Sequence, residues 1–218
     1  MTDEPKGLLK AGGLSLVLSG ILFLVKLALD LTTGPPPSTG AEILAWITHG
    51  KLALAFVNEV LFIAGMLVVP GAAALHASLR SKGGNKAVVG IGCLAVTLPV
   101  LFSVVIVHGR LVYPVYGIQV RDPLGAELAV ALYAGGMHAV SLMLAVATVL
   151  LSLAMRSTYG RPIAYLGFVA AVFDVVGSYP WLLGPPLLVL SQVVPAAWLI
   201  AVGSKLWMLG AAPSRRAS

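Results

Sequence analysis

Charge is what this sequence has least of. Asp, Glu, Lys and Arg make up 10% of its 218 residues, against about 25% in an ordinary soluble domain. That leaves too little polar surface to cover a water-soluble globule. Cysteine is nearly absent: Cys93, inside an apolar run, has no partner in the chain. An intrachain disulfide and any cysteine-built zinc or iron–sulfur site are therefore excluded, and the thiol is expected to be buried and inert. Strand-like alternation over roughly ten residues is missing too, which removes a membrane β-barrel. So are His-x-x-x-His, His-Glu-x-x-His, Gly-x-Ser-x-Gly, P-loop and dinucleotide signatures. The net charge of +6 is spread over several short loops with no basic helix or aromatic platform, so nucleic acid is not an expected partner.

What is present is apolar. Hydrophobic residues make up 59% of the sequence. They gather in six segments, at 8–31, 51–75, 87–107, 127–151, 162–183 and 187–209, each close to the roughly 20 residues that cross a hydrocarbon core. The expected fold is all-α: one domain over 1–218, a polytopic membrane protein built as a six-transmembrane-helix bundle. Breaks fall at Gly34-Pro35-Pro36-Pro37, Lys82-Gly83-Gly84-Asn85, Arg121-Asp122-Pro123, Tyr159-Gly160-Arg161-Pro162 and Gly184-Pro185-Pro186. Lys6 and Lys10 precede the first segment as in a signal peptide. Its apolar run is about twice a signal's length, however, and it is expected to be a retained helix. Ser38 or Thr39 is placed to cap a short interfacial helix at 41–48 that leads into the second span, and Pro70, Pro99 and Pro195 are expected to kink their helices.

Orientation follows from the basic residues. Lys6, Lys10, Arg80, Lys82, Lys86, Arg156, Arg161, Arg215 and Arg216 fall on one side and only Lys51, Arg110 and Arg121 on the other. By the positive-inside rule both termini are cytoplasmic, in the cell membrane. Depth can then be assigned at about 1.5 Å per residue. Lys26, Asp30, Asn58, Glu59, Tyr133, His138, Asp174 and Gln192 all fall in the outer half, while His49, His108, Arg110, Arg121 and Glu127 read as interfacial and solvated. Helical phase puts Ser15, Ser19, Lys26 and Asp30 on one face. It puts His138 and Asp174 on stripes of small residues, which mark close helix contact in membranes.

An intramembrane charge costs about 2.5–3.5 kcal/mol on insertion scales, so these groups call for partners. Lys26 has two, Asp30 at i,i+4 on its own helix or Glu59 on the next. The candidate ligand pocket takes in Lys26, Asn58, Glu59, Tyr133, His138, Asp174 and Gln192, with Glu59 and Asp174 as charge or proton partners and His138 as donor or relay. A metal at Glu59, His138 and Asp174 has suitable donors but no spacing motif. Two haems would need two histidine pairs, and only His76 lies near the inner face. The sequence names no cofactor.

Three stretches, Leu111-Val112-Tyr113-Pro114-Val115-Tyr116, Tyr133-Ala134-Gly135-Gly136-Met137-His138 and Ala197-Trp198-Leu199-Ile200-Ala201-Val202-Gly203-Ser204-Lys205-Leu206, resemble a prokaryotic family of six-helix membrane proteins of unknown function. The resemblance implies the six-span architecture and carries no activity. Three function classes fit the sequence. The leading one is a protein that binds or moves a small polar or amphipathic ligand, lipid headgroups included. The others are an intramembrane enzyme acting on a lipid or isoprenoid, with Asp174 or Glu59 as general acid, and a structural subunit whose buried charges pair with other membrane subunits.

Overall fold

The computed structural model describes residues 3–81 and 83–212; Lys82, Arg215 and Arg216 of the topology count lie outside them. Six α-helices account for most of the described chain: α1 Asp3–Thr33, α2 Gly40–Leu79, α3 Gly84–Val112, α4 Pro123–Met155, α5 Arg161–Gly177 and α6 Pro185–Ala211. Their ends follow from local chemistry. Thr39 caps α2, its Oγ1 accepting from the Glu42 N–H at 3.4 Å and donating to Glu42 Oε2 at 2.7 Å. Asp122 caps α4 by accepting from the Gly125 N–H at 2.7 Å, with Pro123 opening the first turn. Gly34, at φ 68°, closes α1 by donating to the Asp30 carbonyl, a backbone position that favours glycine.

Consecutive helices pack side by side and α6 returns onto α1, so the bundle is a closed ring, with α2 also touching α4 and α6 across the middle. The start of α1 and the end of α6 share one end of the bundle, here the terminal end; the opposite end is distal. In the terminal half Leu9, Leu16, Leu79, Leu151, Met155, Trp198 and Leu206 form the largest apolar core. Glycine brings α1 and α6 into backbone contact: a carbon added at Gly203 would lie 2.6 Å from the Gly13 carbonyl oxygen, and one at Gly13 would lie 2.7 Å from that of Gly203. The outer surface is apolar, with Leu52, Val96, Ile106 and Val172 all more than half exposed. Such a surface suits hydrocarbon and not water. Five of the helices, all but α5, are long and apolar enough to cross a membrane, and the chain is an all-helical multi-pass membrane protein.

The fifth span differs from expectation, and the second takes in the interfacial helix ahead of it. The fifth was expected over 162–183, but α5 stops at Gly177 after 17 residues, about 25 Å. The cause is Tyr179-Pro180. A residue before proline is pushed out of the α region, and Tyr179 sits at φ −116°, ψ 57°, ahead of a single 3-10 turn at Pro180–Leu182. In the other direction α2 runs 40 residues, about 60 Å: the interfacial helix at 41–48 is continuous with the second span. Its distal extension packs Ile43, Ile47 and Leu54 on Leu111, Val112 and Ala126, a small second core outside the ring. Pro70, Pro99 and Pro195 all sit inside unbroken helices.

At the terminal end Tyr159, in the α4–α5 loop, is 5% exposed and its hydroxyl meets Ser78 of α2. Burial lifts this phenol to about 12, against a smaller opposing effect from Ser78. An acid raised in the folded state favours folding fully below its unfolded value, near 10, and loses that advantage as pH climbs to the folded value. The expected result is stability independent of this group up to about pH 10 and falling between about 10 and 12. Tyr159→Phe should remove that alkaline limb, read from unfolding midpoints against pH in detergent.

Candidate polar site

The polar residues of the distal half build a cluster from five helices. Ser19 and Lys26 occupy one buried face of α1; Ser19 Oγ donates to the Ala64 carbonyl of α2 at 2.9 Å. Lys26 is 9% exposed. Its Nζ donates to Asp30 Oδ2 at 2.5 Å, one turn along α1, and at a longer 3.5 Å to Gln192 Oε1 of α6. Tyr133 of α4 and His108 of α3 lie within electrostatic reach of the ammonium. The His108 and Tyr133 rings pack at a 43° tilt with 4.8 Å between centroids. His108 Nδ1 then meets Asn58 Oδ1 of α2 at 3.1 Å. Because an amide oxygen only accepts, Nδ1 carries the hydrogen. The cluster thus offers an ammonium, a phenol, an imidazole and two side-chain amides, with Asp30 as its one carboxylate.

Of the seven candidates, Lys26, Asn58, Tyr133 and Gln192 share this cluster; Glu59, His138 and Asp174 do not. Lys26 pairs with Asp30 on its own helix, not with Glu59 across to α2. Glu59 is exposed at the outside of the bundle, where Oε1 accepts from the Tyr113 hydroxyl at 3.0 Å. One residue along a helix is a 100° turn, so Asn58 faces in and Glu59 out. Tyr113, just past α3, is held above the usual phenol range by burial first and by Glu59 second. His138 Nδ1 donates to the Ser178 carbonyl at the end of α5, 2.8 Å away, with Tyr179 packed edge-on at 4.8 Å. Asp174 faces the interior with Gly167 and Ala170, as its stripe implied. Glu59, His138 and Asp174 therefore form no ligand set, and among the described residues no three His, Cys, Asp or Glu side chains gather around a point.

His108 is the member that sequence reasoning placed elsewhere. It was expected at the solvated interface with Arg110, yet it is 4% exposed. The signal was present in helical spacing: Leu101, Val104, Val105, Leu111 and Val112 share its buried face. Two apolar grooves open on the outer surface. One of about 390 Å³ is lined by Val89, Gly92, Cys93, Val96 and Met143, and one of about 290 Å³ by Leu14, Val17, Ser204, Trp207 and Met208. Cys93 is thus at the edge of a groove and only partly buried. No family model, no curated protein and no solved structure matches the chain.

Proposed function

We propose that this chain is a six-span protein of the cytoplasmic membrane, with both termini cytoplasmic, whose distal cluster binds the polar head of a small amphipathic ligand in the outer leaflet. The observation that carries this reading is Lys26: an ammonium buried inside a bundle, hydrogen-bonded to Gln192 of α6 and belonging to a polar cluster that draws on three more helices. A packing residue at that depth needs no charge, and retained intramembrane charge marks function more often than architecture. Asp30, its partner, has a side chain 31% exposed. An anionic headgroup arriving from the distal side replaces that carboxylate on Lys26, with Gln192 and Tyr133 supplying further hydrogen bonds. The short α5, followed by the turn at Pro180–Leu182, serves as the sixth crossing and leaves the distal ends of α4 and α6 without a helix between them. Asp174 faces the interior, so it is not offered to a partner helix.

Native mass spectrometry of protein extracted gently from its own membrane tests the reading. The expected result is a noncovalent adduct of defined mass on the wild-type chain that is absent from Lys26→Met and reduced at least several-fold in Gln192→Leu. A wild-type chain that flies bare, or an adduct kept by Lys26→Met, overturns it.

A further inference from the structure

Among the described residues, the buried side-chain atoms without partners lie where α5 packs between α4 and α6 and in the loop that joins α4 to α5. Asp174 of α5 is 9% exposed and makes no hydrogen bond or ion pair among the described residues. Two turns nearer the terminal end, about 10 Å away, Ser152 Oγ of α4 and Trp198 Nε1 of α6 are buried and unpartnered. A carbon added at Gly167 would overlap both atoms, so they converge on the bare backbone of α5. Thr148, 4% exposed, lies one turn from Ser152 on the same helix. Thr158 Oγ1, in the α4–α5 loop at the terminal end, is again buried without a partner. Pro195 adds a backbone group: it has no N–H to give the Ser191 carbonyl, and Ser191 packs against Gly177, one turn from Asp174.

An unpaired indole N–H, hydroxyl or carboxyl away from water is strongly disfavoured, and such groups in native proteins point to bound water or an ion. Here one explanation serves all of them. Ordered water along the seam would give each donor and acceptor a partner in turn. Hydroxyls both accept and donate, as a relay requires, whereas the indole only donates and can anchor a water but not pass a proton on.

We propose that the α4–α5–α6 seam conducts protons between the two ends of the bundle, with Asp174 as the group that takes up and releases them. A hydronium at the distal side gives its proton to the Asp174 carboxylate. The carboxyl then yields it to water beside Thr148 and Ser152, and the hydroxyls hand it toward Thr158 and the terminal end. One proton and one positive charge cross, no other bond changes, and the electrochemical gradient drives the step. Distal access is short, because α5 ends three residues beyond Asp174. The ionisable neighbour on α4 is His138, whose Nδ1 is committed to the Ser178 carbonyl; Ser191, Pro195 and Trp198 on α6 bring no ionisable group. This pathway does not depend on the Lys26 cluster.

Purified protein in potassium-loaded liposomes, with valinomycin setting an inside-negative potential and trapped pyranine reporting pH, tests the proposal. Internal acidification is expected several-fold faster than in protein-free liposomes, at the protein-free rate with the isosteric Asp174→Asn, and slowed several-fold by Thr148→Val and Ser152→Ala. Wild-type flux no faster than protein-free liposomes overturns the lane, as does undiminished flux in Asp174→Asn. Should Asp174→Asn fail to fold, undiminished flux in both hydroxyl variants overturns it as well.

Discussion

Gly203→Leu is expected to leave no folded bundle to purify, and Gly203→Ala to lower stability by about 1–3 kcal/mol, the usual cost of forcing carbon into a packed interface. The contact partners make this larger than an ordinary helix glycine. A carbon at Gly203 meets the Gly13 carbonyl oxygen at 2.6 Å and the Val17 amide nitrogen at 2.8 Å. Backbone cannot turn aside as a side-chain tip does, so α1 and α6 must separate. That separation strips contact along the seam where Leu16, Val202 and Leu206 are almost fully buried. Gly13→Ala meets the Trp207 nitrogen and the Gly203 carbonyl and should cost about as much. The two changes widen the same gap, so the double variant is expected to lose less than their sum. Unfolding midpoints of the four proteins in one detergent give the comparison. Full additivity, or a Gly203→Ala protein as stable as the parent, would show that the two helices do not touch through these glycines.

Much of this architecture was legible because the bilayer imposes a simple rule. Long apolar runs between Gly and Pro breaks placed α1, α2, α3, α4 and α6 within a few residues at most ends, and α2 exceeded its segment because the interfacial stretch after Thr39 has no proline before Lys51. The fifth segment failed on one dipeptide. Its apolar residues run on past Gly177, but Tyr179-Pro180 removes both a helical conformation and an amide hydrogen, and hydropathy registers neither.

The site was less legible, since depth along a helix is written in the sequence whereas azimuth depends on neighbours. Lys26, Glu59 and Asp174 all lie in the distal half, yet Glu59 points outward to Tyr113 and Asp174 lies in a different seam. His108 was placed by depth at the solvated interface. Its helical spacing with Leu101, Val104, Val105, Leu111 and Val112 puts it instead on the buried face of α3, against Asn58 of α2 and Tyr133 of α4.

Removing one partner of the Lys26–Asp30 pair should cost very different amounts depending on which is removed. Asp30→Asn leaves the ammonium inside the bundle, 9% exposed, with neutral amide oxygens in place of its carboxylate partner. Breaking a buried pair in this way costs about 3–5 kcal/mol, and the partial exposure of Asp30 places the expected value at the lower end. Lys26→Met removes the buried charge and keeps most of the aliphatic volume, while the stranded carboxylate sits near enough to the distal surface to be hydrated. Replacing both with apolar residues, Lys26→Met with Asp30→Leu, is expected to come out near neutral, because desolvating an ion pair offsets most of its attraction. The predicted order of destabilisation is therefore Asp30→Asn well above Lys26→Met, with the double variant lowest or level. A Lys26→Met protein less stable than Asp30→Asn would mean that the lysine holds the five helices together, and the cluster would then be architecture. Stability retained without the ammonium is what frees Lys26 for a ligand, since a residue dispensable for folding and still placed at this depth must answer to something other than the fold.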